Sequence, residues 1–265
     1  SAKNITTMIA GRAEEIRQLK RAYASEYSEF VAVYGRRRIG KTFLIRECFK
    51  DCFTFQYTGV WNISNKEQLE EFYQNLIRQG LTTESKPPKS WFEAFHLLED
   101  LIISSRQEKK IIFLDELPWM DAPNSRFIPA FEHFWNGWAS ARKDILLIIC
   151  GSATSWIINK IFRNKGGLYN RVTYRIRLNQ FSLAECEEFV KSYGLGFNRN
   201  MILEGYMVMG SVPYYWSKQK KTKSIGQNIN NLFLKENGML RDEFNFIYAT
   251  IFNRPEKYLK VVEAL

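Results

Sequence analysis

Phe30-Val31-Ala32-Val33-Tyr34-Gly35-Arg36-Arg37-Arg38-Ile39-Gly40-Lys41-Thr42 decides how the rest of this chain is read. Its last eight residues follow Gly-x-x-x-x-Gly-Lys-Thr, the spacing of a loop whose backbone N–H groups cradle phosphates. Such a loop works only where a buried strand passes into a helix, because the helix N-terminus then adds its dipole to the anion site. Both flanks meet that condition. Phe30–Tyr34 is a short apolar run of strand type, and Thr42-Phe43-Leu44-Ile45-Arg46-Glu47-Cys48-Phe49 reads as helix. In such a loop Gly35, Gly40 and the amides from Ile39 to Thr42 form the cradle, with Phe43 nearby. Lys41 is expected to bridge the β- and γ-phosphates and Thr42 to ligate Mg²⁺.

Outward from the loop, apolar periodicity predicts an amphipathic helix over Ala13–Ala24 ahead of it, with Ile16, Leu19 and Tyr23 on one face. A second strand is expected near Phe53–Val60, then helices at Lys66–Gln79 and Ser90–Ser104. A third strand follows at Lys110–Leu114, a helix at Ser125–Ala139, a fourth strand at Ile145–Cys150 and a fifth at Val172–Leu178. The fifth has an alternating pattern that suits a sheet edge. Strands separated by helices imply an α/β fold with a parallel sheet covered on both faces. Ligands then bind beyond the carboxyl ends of the strands. From Phe181 onward the pattern is helical, first at Leu183–Tyr193 and next at Asn200–Met209. We place a boundary near residue 180, with a phosphate-binding core at 1–180 and a helical region at 181–265.

The third strand ends in Asp115-Glu116. Behind a phosphate loop, that pair supplies the second half of a nucleotide site: Asp115 supports the metal through its hydration shell, and Glu116 takes a proton from the attacking water. The fourth strand ends in Cys150-Gly151-Ser152. If that strand lies between those carrying the loop and the carboxylates, Ser152 faces the γ-phosphate or the attacking water; otherwise Ser152 caps the helix that starts near Thr154.

The 265 residues, 45% of them hydrophobic, suffice for one large domain or two small ones. No apolar run approaches the roughly 18 to 20 residues needed to cross a bilayer, and no leader is visible, so the chain is expected to be cytoplasmic with no membrane partner. Cys48, Cys52, Cys150 and Cys186 lack metal-site spacing and read as reduced core thiols. His96 and His133 read as packing residues. A net charge of +10 and a pI near 9.4 are consistent with a nucleic-acid partner, although part of the excess is dispersed lysine. Most of the aromatic residues fall at helical or strand spacing and are assigned to the core.

Taken in order, Gly11-Arg12 with Glu14-Glu15, then "GRRRIGKTFLI", "FLDELPWM", "IICGSATSW", "GGLYNRVTYRIRLNQFSLAE" and "GSVPYY" resemble the archaeal-type ATPase family. This is a STAND-like branch of AAA-type P-loop ATPases that also occurs in bacteria. The resemblance runs from residue 9 to about 260. It implies an ASCE-type sheet of strand order 5-1-4-3-2, a helical lid, and in fuller members a winged helix beyond. It also implies ATP rather than guanine nucleotide as ligand, and its hydrolysis. Arginines in the loop are typical of the family. Arg36, Arg37 and Arg38 are counted with the nucleotide-binding residues. Because the cradle is backbone, they either meet a neighbouring subunit, the lid or an acidic partner, or form a solvated rim that concentrates phosphate. Pro213, in Gly210-Ser211-Val212-Pro213, matches a lid element that approaches the nucleotide. Gly166–Arg171 departs slightly from the family's Pro-Leu-Tyr-Gly-Arg form but retains Arg171. By the resemblance Arg171 reaches an adjacent subunit's γ-phosphate in a homo-oligomer; alternatively it joins Arg175 and Arg177 in a basic sheet face.

The resulting expectation is a Mg²⁺-dependent ATPase that couples nucleotide state to motion of a helical lid and a C-terminal effector region. Glu116, Lys41, Ser152 and Arg171 are its catalytic candidates, and Thr42 and Asp115 its metal candidates. The alternative is a slow or non-catalytic nucleotide switch whose main role is to bind DNA or a protein. The helix-like pattern Tyr258–Leu265 ends without a cap, and Ser1-Ala2 lacks an initiator Met. Both suggest a piece of a longer chain that stops at the start of a further domain.

Overall fold

The hydrophobic run of Ile145–Gly151 explains the centre of the sheet: all seven residues are buried, as expected of a strand with helices on both faces. The computed structural model describes residues 9–82, 86–163 and 166–243. It divides into two compact units, Ser1–Asn179 and Gln180–Leu265. In the first, the elements run α1 (Ala13–Tyr23), β1 (Glu29–Tyr34), α2 (Lys41–Cys48), β2 (Phe53–Thr58), α3 (Asn65–Arg78), α4 (Trp91–Ser104), β3 (Lys110–Asp115), α5 (Phe127–His133), β4 (Ile145–Gly151), α6 (Thr154–Ile157) and β5 (Tyr174–Arg177). The strands form one sheet in the order β2-β3-β4-β1-β5, and every pairing is parallel. This is the expected 5-1-4-3-2 arrangement read from the other edge.

The period of two in each strand divides the core between the two faces. Phe30 and Ala32 of β1, Ile112 and Leu114 of β3, and Leu147 and Ile149 of β4 pack with Phe72, Trp91, Phe95 and Phe131 from α3, α4 and α5. The alternate residues Val31, Val33, Ile111, Phe113, Leu146 and Ile148 pack with Leu19 and Ala22 of α1 and Leu44, Ile45 and Cys48 of α2. Each face thus removes a continuous apolar layer from water, which is the main stabilising contribution to the unit. The edge strand β5 buries only Ile176 fully, in keeping with its alternating pattern. Its ladder is shorter than Val172–Leu178 because Thr173 instead exchanges hydrogen bonds with Phe30 at the strand entrance.

The expected helix over Ser125–Ala139 is not uniform. Ser125 Oγ accepts the N–H of Phe127, where the regular helix starts. The chain widens into a π-type turn at Phe134–Trp138 and tightens into a 3-10 turn at Ala139–Ala141. Phe131, Phe134 and Trp135 are all buried here. A wider turn at bulky residues, with Gly137 in the same segment, lets all three rings face the core. Elsewhere local signals set the boundaries. Ser64 with Glu67 and Ser182 with Glu185 form reciprocal capping boxes, the Ser-x-x-Glu spacing visible in sequence.

The described part of the second unit is helical: α7 (Leu183–Ser192), α8 (Arg199–Met209), α9 (Pro213–Ser217) and α10 (Ile225–Ile229), continued by a π-type turn at Asn230–Leu234. Gly210 ends α8 with φ +69°, and Pro213 starts α9. Phe181 N–H donates to Ser211 O, and Tyr215 packs with Val212 and Leu240. The Ser1-Ala2 and Tyr258–Leu265 segments lie outside the described residues. Among those described, no helix is long and apolar enough to cross a membrane.

Candidate nucleotide-binding site

The loop Gly35–Thr42 leaves the end of β1 and enters α2, so its backbone sits at the carboxyl edge of the sheet. Two glycines are dictated by geometry. Gly35 has φ +146°, and a Cβ there would lie 2.3 Å from the carbonyl oxygen of Leu178. Gly40 caps α2 with φ +87°. Both conformations favour a residue without a side chain. Lys41 is only 5% exposed. Its Nζ donates to Gly35 O at 3.0 Å and Arg36 O at 2.9 Å, closing the loop on itself. Arg36 and Arg37 are exposed, Arg38 is half-buried with φ +67°, and Ile39 is buried in the core. Phe43 is exposed on the first turn of α2.

Asp115 is buried at the end of β3. Thr42 Oγ1 donates to its Oδ2 at 2.8 Å, and the Glu116 N–H donates to its Oδ1 at 3.0 Å. The two hard oxygen donors expected to serve a metal therefore come together from elements that are not neighbours in the sheet. Glu116 itself has φ +45°, a strained backbone for a residue with a side chain. It is followed by the 3-10 turn Leu117–Met120. Its Oε2 accepts both the N–H and the hydroxyl of Ser152, each at 3.1 Å. The strand order makes this clasp: β4 lies between β1 and β3, so the residue after β4 faces the residue after β3. The capping role for Ser152 is not realised, because Ala153 is the N-cap of α6 and no side chain caps that helix.

Below the carboxylates Cys150 is fully enclosed. Burial, followed by the nearby Asp115 carboxylate, pushes its thiol well above the ordinary range, so it stays neutral. Burial likewise raises Cys48 to about 11 and Cys186 to about 12. All four cysteines are free thiols. A backbone brace holds the carboxylate loop from the other side: Gly59 N–H donates to Asp115 O, and a Cβ on Gly59 would meet Glu116 O at 2.8 Å. Gln68, fully buried, donates to Val60 O at 2.6 Å and Trp119 O at 2.7 Å. Nothing in the spacing of Gln68 signals that tie, since it bridges residues 8 and 51 positions away.

Arg171 is exposed in the turn before β5, with its N–H on Leu168 O. Arg175 lays its guanidinium over the Phe162 ring at 4.7 Å, so the basic sheet face is partly committed to an aromatic contact. Pro213 belongs to the second unit at the start of α9. Among the described residues there is no cluster of three or more His, Cys, Asp or Glu side chains that could hold a metal ion.

The profile of ATPase domains found predominantly in Archaea matches residues 9–218. The chain is 26% identical, over 97% of its length, to an uncharacterized protein of Methanocaldococcus jannaschii, and spans 54% of that relative. Among solved structures it is similar to a Walker-type ATPase of Pyrococcus abyssi, with a TM-score of 0.61 and 16% identity, covering 97% of this chain and 76% of that one. It is similar also to the ORC2 protein of Aeropyrum pernix solved with ADPNP and ADP, with a TM-score of 0.53 and 13% identity, covering 85% and 69%. A signal-transduction ATPase with numerous domains from Pyrococcus horikoshii, which carries a tetratricopeptide repeat sensor, matches with a TM-score of 0.51 and 16% identity over all of this chain and 36% of that one. These likenesses carry the P-loop ATPase fold, and the profile match over residues 9–218 carries the family: the chain belongs to the ATPase domains found predominantly in Archaea.

Proposed function

We propose that the chain binds ATP with Mg²⁺ and hydrolyses it. The observation that carries this reading is the hydrogen bond from Thr42 Oγ1 to Asp115 Oδ2, 2.8 Å long and 73 residues apart in sequence. It joins the loop to the carboxylate strand and brings together a hydroxyl and a carboxylate, oxygen donors of the kind a hard cation takes. Thr42 and Asp115 would hold Mg²⁺, which when bound neutralises charge on the β- and γ-phosphate oxygens. The loop amides receive the phosphates, and Lys41 Nζ exchanges the Gly35 and Arg36 carbonyls for phosphate oxygens. Glu116 accepts the proton of the attacking water, while Ser152 orients the carboxylate through its two donors. Arg171 serves a neighbouring molecule's site, and Pro213 reports nucleotide state within a mobile helical lid.

A second reading, a slow nucleotide switch that acts by binding DNA or a protein, is favoured by the same Ser152–Glu116 clasp. Two donors already engage Glu116 Oε2, so the base is partly occupied. Turnover separates the two. Multiple rounds of ATP hydrolysis by the longest available chain, abolished in Glu116→Gln, support the enzyme. A single bound nucleotide retained without turnover, with changed affinity for duplex DNA, supports the switch.

A further inference from the structure

Gly11-Arg12 lies far ahead of the phosphate loop, yet Arg12 is 4% exposed. A guanidinium out of water is costly unless its donors are met. Arg12 Nη2 donates to Ile39 O at 3.3 Å and to Asn179 O at 2.7 Å, while Nη1 lies 3.5 Å from Glu15 Oε1. One side chain thus ties the start of α1, the phosphate loop and the last residue of the first unit. The loop meets the same segment a second time, where Gly35 approaches Leu178 O too closely to admit a Cβ. Leu178 N–H in turn donates to Tyr34 O.

We propose that Arg12 is a positioning residue for the phosphate cradle: by holding the Ile39 carbonyl it sets the direction of the Gly40 N–H. In a trans peptide the C=O of one residue and the N–H of the next point in opposite directions. Drawing Ile39 O toward Arg12 turns the Gly40 amide to the other side, where a loop of this type presents its amides to phosphate. The second bond, to Asn179 O, anchors the guanidinium to the backbone rather than to a mobile side chain. Arg12 therefore acts through the loop backbone. The proposal rests on the ATP reading above.

Calorimetry on the whole chain compares wild type, Arg12→Ala, Arg12→Lys and Lys41→Ala, with ATP and with inorganic tripolyphosphate as probes. Arg12→Ala is expected to weaken both by the same factor, about 10- to 100-fold. KM for ATP rises accordingly and kcat at saturation stays within about twofold. Arg12→Lys keeps the charge with a different reach and recovers part of the loss. Wild-type affinity for tripolyphosphate in Arg12→Ala, with Lys41→Ala impaired, overturns the positioning role alone. A loss with ATP but not with tripolyphosphate overturns it too, because Arg12 would then touch the nucleoside. If Arg12→Ala does not fold, a folded Arg12→Lys with unaltered affinity for both probes overturns it. Undiminished binding by Lys41→Ala would instead sink the nucleotide reading itself.

Discussion

Ser152 meets Glu116 with two donors at once: its N–H and its hydroxyl each lie 3.1 Å from Oε2 of that carboxylate. Ser152→Ala removes one of them and leaves the backbone bond. Loss of a hydrogen bond to a charged group frees the carboxylate to rotate, and we expect turnover to fall about 10-fold while ATP affinity is retained. Glu116→Gln should slow hydrolysis by roughly 10²–10⁴-fold, again with ATP bound. A coupled phosphate-release assay with parallel calorimetry reads both quantities. Ser152→Ala turning over as fast as wild type would remove the clasp from the mechanism.

Gly35→Ala tests the close approach of the loop to the end of β5. The new Cβ would sit 2.3 Å from Leu178 O at a φ of +146°, so backbone must shift at a strained position. We expect a loss of about 2–4 kcal/mol in urea unfolding. Gly226→Ala, whose new Cβ would meet nothing within 4 Å outside its own helix, should change stability by less than about 1 kcal/mol. Similar effects at the two sites would mean the loop relaxes without strain.

Arg171 is exposed before the edge strand β5, where a charge can reach another molecule. If it serves a neighbour's nucleotide, Arg171→Ala and Glu116→Gln chains, each inactive alone, should recover partial activity when mixed, since mixed assemblies contain intact composite sites. An arginine acting on the transferred phosphoryl group contributes roughly 10³–10⁵ in rate. Normal turnover by Arg171→Ala, or no recovery at concentrations where sedimentation shows assemblies, would leave it a surface residue.

Asp144 links the amino ends of β3 and β4. Its carboxylate lies 2.9 Å from Lys110 Nζ and accepts Arg142 Nε at 2.9 Å and Nη2 at 2.7 Å. Burial acts to raise its pKa, but the bonds from Arg142 and Lys110 prevail and hold it at about 2. A folded-state pKa below the unfolded value stabilises the fold above about pH 4 and loses that contribution as pH falls toward 2. Asp144→Asn should therefore cost about 1–2 kcal/mol at pH 7, an allowance for the partly exposed site included. The difference from wild type should shrink below about pH 3. A gap in denaturation midpoints that is constant from pH 7 to pH 2.5 would contradict this linkage.

The order of elements was legible because each strand is a short apolar run and each loop residue type has one backbone use. Gly35 and Gly40 were identifiable for that reason, whereas the capping boxes at Ser64 and Ser182 entered only with the structure. Less legible was the π-type turn at Phe134–Trp138, since three buried aromatic rings override helical spacing only when the opposing core is present. Gln68 and Arg12 were missed as ties, because their partners are backbone carbonyls, and a carbonyl leaves no signature in residue type.

By itself, then, the sequence determined the parallel α/β pattern, the phosphate loop and the acid pair Asp115-Glu116, since these depend on local periodicity and on fixed spacing within a few residues. Tertiary structure alone decided which groups meet: Thr42 with Asp115, Ser152 with Glu116, and the Arg12 guanidinium with the backbone carbonyls of Ile39 and Asn179. The physical reason is the crossover. Placing β4 between β1 and β3 brings three strand ends to one edge of the sheet, and that adjacency comes from packing two apolar layers against both sheet faces, a property of the whole core rather than of any segment.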